Sequence, residues 1–361
     1  MKTILTNSII VLLLIFAKIS FAEDVVFSLG TYQEILDKAK SENKTIMIDF
    51  ITDWCKWCVE TDRKVYTNSE VSAFANSHQI NWKIDAEKGE GPELAKKYGI
   101  KGFPTIVFAN SDGTEIDRIY GYLPAEQFLL KMKDYNAGVN TYGSIKAMLE
   151  ASPDDPVTNY LMAEKITSNG LEGDVKMYLN NTIKFDPSND KGYTDDAKFM
   201  LAYMNEDPGS LISLLKEYPE SEKVKDGYLN LASYYADKND QSAAEKYFSE
   251  AFAKFGKNDF DIRQSYGGYL LGAGYSVMKN EKSTKEERKN AIKTLEKCIE
   301  YVKGTVNEAS AYFMMSELYL QNKNIKKAND CIDKSISIYD KKSYRDQKEK
   351  INKINKKDKS K

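Results

Sequence analysis

The chain is 361 residues long, more than one ordinary domain, so two are expected. Hydrophobic residues at 42%, charged residues at 29% and a formal net charge of −2 describe a globular protein with no charge excess suited to nucleic acid. Four cysteines are too few for a small exported scaffold stapled by disulfides, and two of them stand three positions apart.

The first 22 residues differ from the rest. Lys2 supplies a positive start, Ile9 to Ala17 is an unbroken apolar run, and Ser20-Phe21-Ala22 sets small residues before Glu23 and Asp24. The pattern predicts a secretory signal over residues 1–22, cleaved after Ala22. A retained anchor would need about 20 apolar residues, and Lys18 interrupts this run. Export is therefore expected, to the periplasm or the exterior, with no integral membrane segment left after cleavage.

Residues 23–135 mix strand and helix patterns. Thr31 to Ser41 reads as an amphipathic helix with Ile35, Leu36 and Ala39 on one side. Thr45 to Ile51 has the look of a buried central strand, and a helix follows from Cys55 to about Tyr66. Asn68 or Ser69 caps a further helix, Ile80 to Asp85 is strand-like, and Pro92 to Tyr98 is helical up to Gly99. Thr105 to Ala109 and Glu115 to Tyr120 form a hairpin through Asp112-Gly113, and Pro124 opens a closing helix through Met132. The fold class expected is α/β, a central mixed sheet flanked by helices. Residues 136–143, with Asn136, Gly138, Asn140 and Gly143, read as a linker.

Over residues 144–345 strands disappear and helix pairs recur. Tyr228, Leu231, Ala232 and Tyr235, then Ala244 and Phe248, have the spacing of a tetratricopeptide repeat, and Tyr312, Met315, Ser316 and Tyr319, then Ala328 and Ile332, repeat it. A third copy holds Leu271, Gly272 and Tyr275, then Ala291 and Leu295, with a longer charged loop around Glu281 to Arg288. A weaker copy spans Pro156 to Asn189 and a degenerate one Tyr193 to Ser221. Since one helix pair cannot bury its own apolar face, the pairs must stack into an all-α solenoid. The lysine-rich residues 346–361 read as a disordered tail.

The chemistry concentrates at Trp54-Cys55-Lys56-Trp57-Cys58. Two thiols separated by two residues at the start of a helix can close a redox-active disulfide. The first thiol meets unpaired backbone N–H groups and the positive end of the helix dipole, which favour its thiolate. Cys55 is the expected nucleophile and Cys58 the residue that resolves the mixed disulfide. Zinc also uses this spacing, but a structural site needs four ligands, and Cys298, Cys331 and His78 stand at no partner spacing. No metal and no cofactor is expected.

Several motifs fall in one order: Ile48-Asp49-Phe50 leading to Trp54-Cys55, then Tyr98-Gly99-Ile100, Gly102-Phe103-Pro104-Thr105 and Gly121-Tyr122. Over residues 24–135 they resemble the thioredoxin superfamily, and the signal together with the Trp-Cys-x-x-Cys style resembles its exported members, including the thiol-exchange domain of DsbD. The resemblance implies a cis Pro104 beside the cysteines, with the Phe103 backbone free to pair with an extended substrate. It implies a buried Asp49 that exchanges a proton with Cys58, and a contact surface made by Trp54, Lys56 and Trp57. The chain departs from the family in having Lys56-Trp57 between the cysteines and no histidine there, which favours a reductase or exchange protein over a strong oxidant. Lys56 is expected to be solvated. The lysine that accompanies the buried carboxylate in thioredoxins aligns here with Asn81, which weakens the proton role of Asp49.

Cys298 and Cys331 fall on second helices of adjacent repeats and admit a disulfide, a second redox step, or burial as small apolar residues, the last being favoured. The function expected is thiol–disulfide exchange on exported disulfide-containing proteins. A membrane thiol donor would supply electrons, and the repeats would dock a client or peptide partner. The alternative is a non-enzymatic adaptor or chaperone that works through its repeats.

Overall fold

The computed structural model describes residues 24–359, so the expected signal lies outside the described residues. The N-terminal region is β1 (Phe27–Ser28), α1 (Tyr32–Glu42), β2 (Thr45–Ile51), α2 (Lys56–Lys64), α3 (Ser69–His78), β3 (Gln79–Asp85), α4 (Gly91–Lys97), β4 (Thr105–Ala109), β5 (Glu115–Tyr120) and α5 (Ala125–Ala137). The strands form one sheet in the order β1-β3-β2-β4-β5. β2 lies at its centre, parallel to β3 and antiparallel to β4.

Alternation along β2 divides the core between the two faces of the sheet. Ile46, Ile48 and Phe50 pack with Ile35, Ala39, Leu94 and Tyr98 from α1, α4 and the residue after it. Met47 packs with Val71, Phe128 and Met132 from α3 and α5. Thr31 and Glu34 close a capping box on α1, and Asn68 caps α3. Gly113 takes φ +81° in the β4–β5 turn, a conformation natural to glycine. The closing helix α5 runs five residues past Met132 to Ala137, because Leu129, Met132 and Tyr135 continue its buried face.

The all-α region follows as α6 (Tyr142–Ala151), α7 (Pro156–Ser168), α8 (Val175–Phe185), α9 (Thr194–Met204), α10 (Pro208–Glu217), α11 (Val224–Asp237), α12 (Gln241–Phe255), α13 (Phe260–Lys279), α14 (Lys285–Val302), α15 (Val306–Gln321), α16 (Ile325–Ile338) and α17 (Lys342–Lys359). The extra residues expected in a loop around Glu281 to Arg288 instead lengthen the helices, to 20 residues in α13 and 18 in α14. Thr284 and Glu287 form a capping box that starts α14 inside that stretch.

Two further expectations are corrected. Of the lysine-rich residues expected as a disordered tail, 346–359 belong instead to the helix α17. Tyr344, Gln347 and Ile351 recur at helical spacing and are buried, Tyr344 and Ile351 against Ala309, Ala328 and Ile332, while Lys348 turns outward to pair with Asp333. The linker expected over 136–143 is shorter, since residues 136–137 and 142–143 are helical. Only Gly138 to Thr141 separates α5 from α6, and Thr141 caps α6.

That junction is clamped by Asp117, which is 2% exposed on β5. Its Oδ2 accepts from the Tyr142 N–H at 2.8 Å and the Lys165 Nζ at 2.9 Å, and its Oδ1 accepts from the Asn169 side chain. The first free N–H of α6 is thus satisfied by a carboxylate of the sheet. Lys165→Met leaves that carboxylate buried without its cation, and a loss of about 3 kcal/mol is expected, read from urea unfolding.

Candidate active site

Cys55 caps helix α2 from the position before Lys56, with an extended backbone and its sulfur in the capping place: the Cys58 N–H points at Cys55 Sγ at 3.0 Å. The two sulfurs are joined, with Cα atoms 5.3 Å apart. After reduction, a thiolate on Cys55 would keep that N–H donor and face the positive helix end. In this oxidised form Cys55 and Cys58 are each 4% exposed.

The Phe103-Pro104 bond is cis. The Pro104 carbonyl accepts from the Gly121 N–H at 2.8 Å, whereas among the described residues the Phe103 N–H and C=O have no backbone partner. Trp54, 58% exposed, meets the Phe103 ring edge-on at 5.6 Å and donates its indole N–H to Glu87 at 3.1 Å. Trp57 stacks obliquely on Tyr122 at 5.4 Å, and Tyr122 on Phe260 of α13 at 5.9 Å.

Asp49 is 1% exposed, in the centre of β2. Burial pushes its carboxyl up to about 6, against a partial downward pull from the Lys83 ammonium, and Asp62 adds to the rise. Lys83 stands opposite Asp49 in the parallel β2–β3 register with its Nζ 3.5 Å from Asp49 Oδ2, and it also pairs with the half-exposed Asp62. The expectation that Asn81 occupies this place is corrected. Asn81 lies two residues earlier on the same strand and instead donates to the Val26 carbonyl beside β1. Positions 81 and 83 share a strand face, so alternation alone does not separate them.

Lys56 is exposed, as expected, but the end of its side chain is engaged. Its Nζ donates to Asn307 Oδ1 at 2.9 Å, and burial followed by the nearby Lys341 charge lowers its pKa. Four positions on, the buried Glu60 pairs with Lys64 at 2.6 Å and accepts from the Val306 N–H, at the start of α15, at 3.2 Å. Neither contact carries a signal in the local sequence, because the partners are 251 and 246 residues away.

The remaining candidates separate from the site. His78 ends α3 and stacks on Phe74 at 4.3 Å. Cys298 and Cys331 are free and buried, and burial pushes their thiols up to about 12 and about 11. Among the described residues no cluster of His, Cys, Asp or Glu could hold a metal ion, and no helix is long and apolar enough to cross a membrane.

The family model for the thioredoxin-like domain matches residues 32–136. The N-terminal domain is thioredoxin-like. Tetratricopeptide repeat models match residues 226–253 and 309–342 within the helical region. The thioredoxin-like domain is 32% identical over 112 residues to the thiol:disulfide interchange protein DsbD of Yersinia pestis, covering 30% of this chain and 18% of that protein. It is 30% identical over 104 residues to the disulfide bond reductase DsbH of Chlamydia pneumoniae, covering 26% of this chain and 62% of that one. A solved structure of a disulphide-isomerase candidate from Bacteroides thetaiotaomicron is 38% identical, with a TM-score of 0.30, over 32% of this chain and 94% of that chain.

The buried carboxyl of the thioredoxin-like domain makes stability depend on pH. The folded pKa of Asp49, about 6, lies above its ordinary 3.8. Its stabilising contribution is complete below about pH 4 and is lost as the pH rises through about 6, a fall of about 3 kcal/mol. Urea unfolding of the oxidised protein across that window should show this slope, and Asp49→Asn should flatten it.

Proposed function

We propose that this chain is an exported thiol–disulfide oxidoreductase that reduces or exchanges disulfides in polypeptides. In the reducing direction, the Cys55 thiolate attacks one sulfur of the substrate disulfide, forming a mixed disulfide and releasing the other as a thiolate. Cys58 then loses its proton and attacks Cys55 Sγ, forming the Cys55–Cys58 disulfide and freeing the second substrate thiol. The substrate gains two electrons and the enzyme pair loses them. A donor dithiol must restore the pair, and outside the cytoplasm its electrons must be passed across the membrane.

The observation that carries the reading is the sulfur of Cys55 at the start of α2, met by the Cys58 N–H and bonded to Cys58. Asp49, with a pKa of about 6 and Lys83 beside it, is suited to take and return the proton of Cys58. The unpaired Phe103 backbone and the exposed Trp54 favour an extended substrate segment. The reducing direction is favoured because no histidine stands between the cysteines and the Lys56 ammonium is engaged by Asn307. Strong oxidants instead stabilise the reduced thiolate heavily. Export, to the periplasm, rests on the apolar run and small residues before Glu23. The repeats are suited to protein contacts, and the bonded cysteine pair argues against a role as adaptor alone.

Reduction of a short peptide disulfide by the full chain should vanish in Cys55→Ser, whereas Cys58→Ser should accumulate the peptide as a mixed disulfide visible by mass. Activity that survives loss of Cys55 removes the reading. The reduction potential should lie nearer about −270 mV, as in thioredoxin, than about −120 mV, as in strong oxidants.

A further inference from the structure

One face of α2 is covered by the far end of the chain. Lys56, Glu60 and Arg63 stand at helical spacing, and each is bonded to the last repeats: Lys56 to Asn307, Glu60 to the Val306 N–H, and Arg63 Nη1 to the Ile338 carbonyl at 3.1 Å. Asn307 is held in turn by Gln264 of α13 at 3.4 Å. Trp57 continues the contact through Tyr122 to Phe260, where α13 begins. The start of α13, the start of α15 and the end of α16 therefore stand beside the Cys-x-x-Cys turn. On the rim carrying Trp54 and Phe103, the indole remains more than half exposed.

We propose that the last repeats form one wall of the redox site and select substrates by shape. Disulfides borne on extended polypeptide pass over the Trp54–Phe103 rim, and those held on the surface of a folded protein are turned away by α15 and α16. The inference rests on the exchange activity proposed above and adds the class of substrate. A cysteine that is buried in the oxidised form must be met closely, and a folded partner must approach with a broad surface, which here meets the repeat. An extended segment needs only the width of one strand. It finds the unpaired N–H and C=O of Phe103 on the open side. The anchor of the wall is specific: the first N–H of α15, which the helix itself cannot satisfy, is taken by the buried Glu60 carboxylate.

The test compares kcat/KM for a short linear peptide disulfide and for insulin, whose disulfides are held in a folded protein, using the full-length chain. Wild-type protein should favour the peptide by about ten-fold or more beyond the preference of an isolated thioredoxin assayed alongside. Val306→Asp places a second carboxylate against Glu60, yet an acidic residue in the first turn favours α15 itself. It should undock the wall, seen as faster hydrogen exchange of the α2 amides, and the preference should fall towards that of thioredoxin through a gain in insulin reduction. The double variant Asn307→Ala with Arg63→Ala removes two wall contacts without adding charge and should move the preference the same way. A wild-type preference equal to that of thioredoxin, or one unchanged in a variant whose α2 amides have become exposed, overturns the proposal. Failure of the wild-type chain to reduce even the peptide would instead remove the redox reading beneath it.

Discussion

Two buried carboxylates of the thioredoxin-like domain set where the helical repeats stand. Asp117 on β5 accepts from the first N–H of α6, and Glu60 on α2 accepts from the first N–H of α15. A helix cannot satisfy its own first amides, and its N-terminus carries partial positive charge, so a carboxylate there answers two needs at once. Because one anchor lies at the start of the repeats and the other near their end, the helical array leaves the domain at β5 and comes back to it at the active-site helix. The relation between redox pair and repeats follows from this return.

The same physics operates inside the active site, with sulfur in place of oxygen. Cys55 stands where a capping side chain would stand, and the N–H of Cys58 is directed at it. The ability to hold a negative charge is thus built into the way α2 starts. The opposite condition prevails at Cys298 and Cys331, which lie within repeat helices, where burial raises their pKa and suits them to packing. Four cysteines of one chain divide into two chemical classes by position on a helix and by surroundings.

Asp49 shows how a strand core can hold a titratable group near neutrality. Burial removes water from it, while Lys83, its register partner on β3, returns part of the lost stabilisation. Lys83 also pairs with the half-exposed Asp62, so a chain of charged groups leads from the buried carboxyl towards solvent.

Most of the thioredoxin-like domain was legible in the sequence because its signals are local. A short β-rich run marked β2, Asp112-Gly113 marked the hairpin, and the cysteine spacing before a helical pattern marked the site. The repeats declared themselves through small and aromatic residues at helical spacing. Tertiary structure alone decided four matters: that Lys83 and not Asn81 accompanies Asp49, that Lys56 is held by Asn307, that Glu60 takes the first amide of α15, and that the lysine-rich end folds as α17. The first depends on strand register, which alternation leaves open by steps of two residues. The next two join residues about 250 positions apart through single polar contacts, which leave no periodic trace. The last rests on a narrow apolar face, Tyr344 and Ile351 among lysines, which favours helix only when a neighbouring repeat is there to cover it.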